Sequence, residues 1–138
     1  MPQKTLEKFL GQIKKGEFLS PNNSKMFKPI LNRVEYEITD VLELGKTTTN
    51  IDIKIRNINM EKYMAELNSK MEELNEKKIS EADGKAYVNN FFSDLVDRSD
   101  LEFSEKTITA TIKKVDKKLV IENSEEIIIA MMGVGEND

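Results

Sequence analysis

"TTTNIDIKIRNINMEKYMAEL", Thr47 to Leu67, changes its periodicity halfway along. From Ile51 to Ile55 apolar and charged side chains alternate one for one, which is the period of a half-buried strand. From Met60 onward Met60, Tyr63, Met64 and Leu67 recur every three or four positions, which is the period of one helix face. Asn59 stands at the join, where its side-chain oxygen can accept from an exposed amide of the first helical turn. A strand that hands over to a helix within two residues points to an α+β fold, a curved antiparallel sheet packed on helices.

Toward the N-terminus, Val34 to Leu44 alternates again, with Val34, Tyr36, Ile38, Leu42 and Leu44 on one side and Glu35, Glu37, Thr39 and Glu43 on the other. Gly45-Lys46 reads as a turn, so Thr47 to Ile58 becomes the antiparallel partner of this strand in one long hairpin. Before it, Leu6, Phe9, Leu10 and Ile13 mark an amphipathic helix over Thr5 to Lys15, with Thr5 as cap and Gly16 as stop. "SPNNSK" reads as turn chemistry, and Met26, Phe27, Ile30 and Leu31 suggest a short second helix that Pro29 either starts or interrupts.

Toward the C-terminus, the helix from Met60 is expected to run to about Asn75, continued by Leu67, Met71 and Leu74. Ser80-Glu81-Ala82-Asp83 fits a variant of the capping box, and behind it Val88, Phe91, Phe92, Leu95 and Val96 form the strongest apolar face in the chain. That face places Phe91 and Phe92 between helix and sheet. Lys106 to Val115 alternates Ile108, Ala110 and Ile112 with threonines and Lys113, Asp116-Lys117-Lys118 turns, and Leu119 to Ile121 returns. In "EEIIIAMM" the isoleucines favour a strand, whereas Ser124, the acids and Gly133 favour a helix, which is the reading adopted. The order is helix, helix, strand, strand, helix, helix, strand, strand, short helix, with the helices on the apolar face of the sheet. The first few residues and "GEND" read as disordered ends.

At 138 residues the chain has the length of one domain, residues 1–138, and can bury a core without staples. Its 21 basic and 25 acidic residues are interspersed and leave a net charge of −4, which argues against nucleic acid as a partner, since that needs a basic face. It contains no cysteine and no histidine, which removes disulfides, thiolate nucleophiles, the usual general base and the commonest zinc and copper ligands. No cofactor motif, phosphate loop or metal cluster is present in the sequence. No signal peptide is visible, so Met1 is either a native start or one fitted where a targeting segment was removed.

"PQKTLEKFLGQIKKGEF", the opening strand-to-helix stretch and "KKLVIENSEEIIIAMMG" together resemble small Gram-positive lipoproteins of NTF2-like (cystatin-like) fold whose function is not known. In that family the last strand usually carries a tryptophan, where Leu119 stands here. The resemblance spans about the whole chain through packing motifs and brings no functional residue with it. It implies a lipid-anchored precursor whose signal and lipidated cysteine lie upstream of Pro2, an extracytoplasmic location and an artificial Met1.

NTF2-like folds place a conical cavity between sheet and helices, and in enzymes such as ketosteroid isomerase an aspartate works there. Asp40 falls on the apolar parity of the first strand, between Ile38 and Leu42, and is the pocket carboxylate to consider. The reading preferred here is a β-bulge over Thr39 to Val41 that turns Val41 inward and Asp40 outward. Tyr36, Tyr63 and Tyr87 are further pocket candidates through their phenols, against a plain core role. The seven methionines are read as ordinary core, "KMEELNEKK" as a solvated face with charge pairs such as Glu73 to Lys77, and Asn22-Asn23-Ser24 as a glycosylation sequon by spelling alone.

The expected function is a non-catalytic, monomeric cell-surface domain that binds an unknown small molecule or protein partner, with membrane contact only through an upstream lipid anchor. The alternatives are an isomerase- or dehydratase-type enzyme using Asp40 and a tyrosine, and a cytoplasmic interaction module that starts at Met1.

Overall fold

The computed structural model of the chain describes residues 1–133, and the terminal "GEND" lies outside them. The elements follow the expected order: α1 (Pro2–Lys14), α2 (Pro21–Leu31), β1 (Glu35–Leu44), β2 (Thr48–Ile58), α3 (Met60–Glu76), α4 (Glu81–Leu95), β3 (Phe103–Val115), β4 (Lys118–Ile121) and α5 (Ser124–Met132). The four strands lie side by side in chain order, each antiparallel to the next, in one open sheet. The class is α+β.

β2 and β3 form the spine, paired from Thr48 opposite Lys113 to Ile58 opposite Phe103. Side chains directly opposite each other point to the same face, so Ile51, Ile53 and Ile55 join Ile108, Ala110 and Ile112 on one side. All six are buried beneath Leu6, Leu10 and Ile13 of α1 and Ile127 and Met131 of α5. Each such isoleucine, fully withdrawn from water, contributes about 1.5–3 kcal/mol to this interface.

A second core lies beyond one end of the strands. Ile58 at the end of β2 meets Ile30 of α2, Met60, Tyr63 and Leu67 of α3, and Phe92 and Leu95 of α4. Here the structure corrects the expectation that Phe91 and Phe92 lie between helix and sheet. α4 packs on α2 and α3 instead: the Phe92 ring lies 5.0 Å from Phe27 of α2 and 5.6 Å from Phe91. Phe92 is buried and Phe91 only half-buried, so α4 aims its apolar stripe at other helices.

The bulge in β1 is present, since pairing with β2 jumps from Ile38 opposite Ile53 to Asp40 opposite Asp52 and leaves Thr39 as the extra residue. It also overturns the placement of Leu42 and Leu44 on the buried side. Beyond the bulge the parity is reversed, so these two side chains stand exposed on the outer face of the sheet, opposite Asn50 and Thr48.

Several boundaries differ for local reasons. α1 begins at Pro2 rather than Thr5, with proline at its first position, and so includes residues read as a disordered end. "SPNNSK" starts α2 rather than making a turn: Ser20 caps it by accepting from the Asn23 amide at 3.3 Å, Pro21 follows as first residue and Pro29 lies inside. Lys118 belongs to β4, leaving Asp116-Lys117 as a two-residue turn with φ of 50° and 66°. The cap position of α5 falls to Asn123, not Ser124, and its side chain binds β3, accepting from the Thr111 amide at 3.0 Å and donating to the Thr109 carbonyl at 2.7 Å. On the solvated face of α3, Glu73 pairs with Lys70 at 3.6 Å rather than with Lys77.

Candidate functional site

The helices beyond the sheet enclose a half-open cleft of about 810 Å³, within the size range of small-ligand sites. Three local features build it. The Ser20-Pro21 start directs the first turn of α2, with Asn22 and Asn23, at one wall. α3 ends through Lys77 and through Lys78, whose φ is 56°, and leaves Met71 and Asn75 on the opposite wall. Ser80 then caps α4 by accepting from the Asp83 amide at 3.1 Å, which lays the first turns of α4, with Glu81, Gly84, Val88 and Asn89, along the cleft. The parallel packing of α2 on α4, fixed by Phe27 against Phe92, brings the N-termini of both helices to this one cleft.

Its lining combines apolar and amide side chains. Met26, Met71, Ile79 and Val88 supply an apolar floor, while the amides of Asn22, Asn23, Asn75 and Asn89 form the rim, each able to donate and accept at once. The charges at the mouth are Lys25, Lys85 and Glu81, the last two 3.9 Å apart. Neither lining serine, Ser80 or Ser93, has a histidine or cysteine beside it, because the chain contains neither residue. Among the described residues no group of three or more acidic, histidine or cysteine side chains is placed to hold a metal ion.

The four candidates from the sequence are dispersed, and none lines this cleft. Tyr36 and Asp40 share β1 on opposite faces: Tyr36 is half-buried against the sheet core, opposite Ile55, and Asp40 is exposed, its carboxylate accepting from the Val41 amide at 3.0 Å. Tyr63 is completely buried in the helix core, and its hydroxyl accepts from the Glu102 amide at 2.8 Å and donates to the Asp100 carbonyl at 3.5 Å. Tyr87 is half-buried on α4 beside a shallow hollow of about 240 Å³ shared with Glu66 and Arg98. The interface between sheet and helices, where a pocket acid would sit, is filled by the isoleucines of β2 and β3 and the leucines of α1.

The segment after α4 is held by charge. Arg98 donates to both Glu66 oxygens at 3.1 Å and to Asp100 at 3.3 Å, and its guanidinium lies 5.1 Å from the Tyr63 ring. That hydrogen bond from Arg98 holds the Asp100 carboxyl below the ordinary aspartate range. Lys62 bonds to Glu102, which raises the pKa of its ammonium.

The amides of the cleft escaped sequence reading because each is unremarkable alone. Asn22-Asn23 reads as a turn or a sequon and Ser80 as a cap; no periodicity announces that residues 22–26, 71–75 and 79–93 meet. The usable signals were Ser20-Pro21 and Ser80, two helix starts.

An antiparallel four-stranded sheet with helices over one face and beyond one end, carrying an amide-rimmed cleft, defines an α+β fold. No family model matches the chain, and no curated protein matches it. Among solved structures, the crystal structure of a candidate lipoprotein, ycdA of Bacillus subtilis, is similar with a TM-score of 0.52 over 97% of this chain and 12% sequence identity. The chain spans about half of that protein, 47% of its length. At that identity the likeness is one of fold. No helix among the described residues is long and apolar enough to cross a membrane.

Proposed function

We propose that this chain is a non-catalytic, monomeric, extracytoplasmic domain of the NTF2-like lipoprotein kind, tethered outside the cell membrane by an upstream lipid anchor, and that the cleft between α2, α3 and α4 takes its ligand. The observation that carries the reading is the likeness in fold, over 97% of the chain, to a candidate lipoprotein. Placement of Asp40 supports the non-catalytic part: it is exposed on the outer face, away from any apolar wall that would tune it as a base. The monomeric part is supported by the stretch of the outer face away from the hairpin turns, where Glu35, Glu37, Asp40, Asp52, Lys54 and Arg56 keep the surface charged, the exposed Leu42 and Leu44 lying nearer the turns. The ligand that fits is neutral overall, with polar groups for the amide rim and an apolar side for the methionine floor.

The test is fractionation of cells expressing the natural gene. The protein is expected in the membrane fraction, released by detergent but not by salt, and lipid-labelled when cells are fed radioactive palmitate. An unlabelled protein recovered in the cytosol would contradict the reading.

A further inference from the structure

We propose that the hairpin end of the sheet docks on an anionic lipid bilayer, its lysines meeting the head groups and its exposed apolar side chains entering the interface. Both hairpin turns lie at this end, and the Lys114 amide of β3 donates to the Thr47 carbonyl of the other turn at 2.8 Å. A hollow of about 580 Å³ between them is lined by Lys46, Lys114 and Lys117, and by Met1 and Pro2. Lys113 and Lys118 stand exposed beside it, Lys113 paired with Glu122 at 2.7 Å. Five lysines thus stand with three acids, Glu43, Asp116 and Glu122, a local excess of two positive charges on a chain whose net charge is −4.

The same end collects apolar surface. Of the eight large apolar side chains exposed among the described residues, Met1, Leu44, Val115 and Val120 stand here. Leu44 and Val120 lie in one cross-strand row with Thr48 and Lys113 between them. Lysines alone would suit any polyanion, whereas lysines interleaved with exposed aliphatic side chains suit the boundary between head groups and acyl chains. Lys117 reinforces this, since it holds a φ of 66° in a turn position that favours glycine or asparagine and so carries an ammonium at the tip.

The docking rests on the membrane location proposed above and gives it an orientation. Met1 and Pro2 line the docking end, so a tether would leave from the side facing the bilayer. The helix core lies at the opposite end of β2 and β3, around Ile58 and Phe103, so the ligand cleft would face away.

Flotation of the 138-residue chain with vesicles tests this. With vesicles of one third phosphatidylglycerol in phosphatidylcholine the chain is expected to float, and with pure phosphatidylcholine it is expected to stay behind. Replacing three tip lysines together (K46E, K114E and K117E) should weaken binding at least about a hundredfold, roughly fivefold for each lysine lost before any repulsion from the new carboxylates. The pair Leu44→Ser and Val115→Ser should weaken it while keeping the preference for anionic lipid. K70E, K77E and K78E make the same charge change at the helix end and should leave binding within about twofold. Circular dichroism checks each fold, and Lys117→Glu alone replaces the triple variant should that one unfold. Equal flotation with both vesicles, flotation with neither, or equal losses for the two triple variants would overturn the docking. Release by inorganic polyphosphate as effective as by anionic vesicles would do so too, by assigning the site to free anions. Failure here with a membrane-bound, palmitate-labelled protein in cells would remove only the docking.

Discussion

Asn57 shows how much one side chain can hold. It is 2% exposed on the inner face of β2, donates to the Met131 carbonyl of α5 at 2.6 Å and accepts from the Ile58 amide at 2.7 Å. It therefore joins the spine of the sheet to the last helix at the point where Gly133, with φ of 77°, ends that helix. A Cβ on Gly133 would lie 2.8 Å from the Asn57 amide nitrogen and 2.9 Å from the Ile58 carbonyl, so glycine is required there by both conformation and space. Asn57→Ala leaves the Met131 carbonyl buried without its donor, and it should lower stability by about 1–3 kcal/mol in urea unfolding. A loss under about 0.5 kcal/mol would mean that water reaches this corner.

At the scale of elements, α4 illustrates both reach and limit. Ser80 and the apolar run behind it announce the helix in the sequence, but the target of its apolar face is a long-range fact set by Phe27 and Ile30 of α2. Phe92→Ala should cost about 3–5 kcal/mol, because that ring is enclosed by two helices and the end of a strand. Phe91→Ala, at a half-buried position, should cost clearly less in the same urea measurement; equal losses would contradict this packing.

Legibility followed the same division. Asn59 caps α3 from its own side chain, accepting from the Lys62 amide at 3.3 Å, and Gly133 closes α5, both as their local chemistry dictates. Leu42 and Leu44 defeat the pattern because a single extra residue, Thr39, reverses the parity of everything after it in β1. The cleft was invisible for a related reason: its amides belong to segments far apart in sequence, and the contact that unites them buries phenylalanines rather than asparagines.

The segment linking α4 to β3 adds a pH dependence. Asp100 is depressed by Arg98, so its ion pair contributes stability above the ordinary aspartate pKa and loses it as the pH falls through the lower folded value. Amide exchange at Glu102, whose N–H is bonded to the Tyr63 hydroxyl, should therefore speed up relative to the intrinsic rate below about pH 4. In Asp100→Asn this step should be missing; an unchanged profile in that variant would show that Arg98 and Asp100 do not hold the segment.

For the whole molecule, two cores share one long pair of strands: isoleucines under α1 and α5 along the sheet, and aromatic and methionine side chains among α2, α3 and α4 past its end. This separates the hairpin end from the cleft, as the proposed tethered domain would require. The chain contains no cysteine, so one introduced by Glu72→Cys on the exposed side of α3 is unique within it. Expressed from the natural gene, that variant can be treated in intact cells with a maleimide that does not cross membranes. A surface-held domain predicts labelling of Cys at position 72 in intact cells, at the level seen after lysis. Labelling that appears only once the cells are broken would place the protein in the cytoplasm and contradict the account.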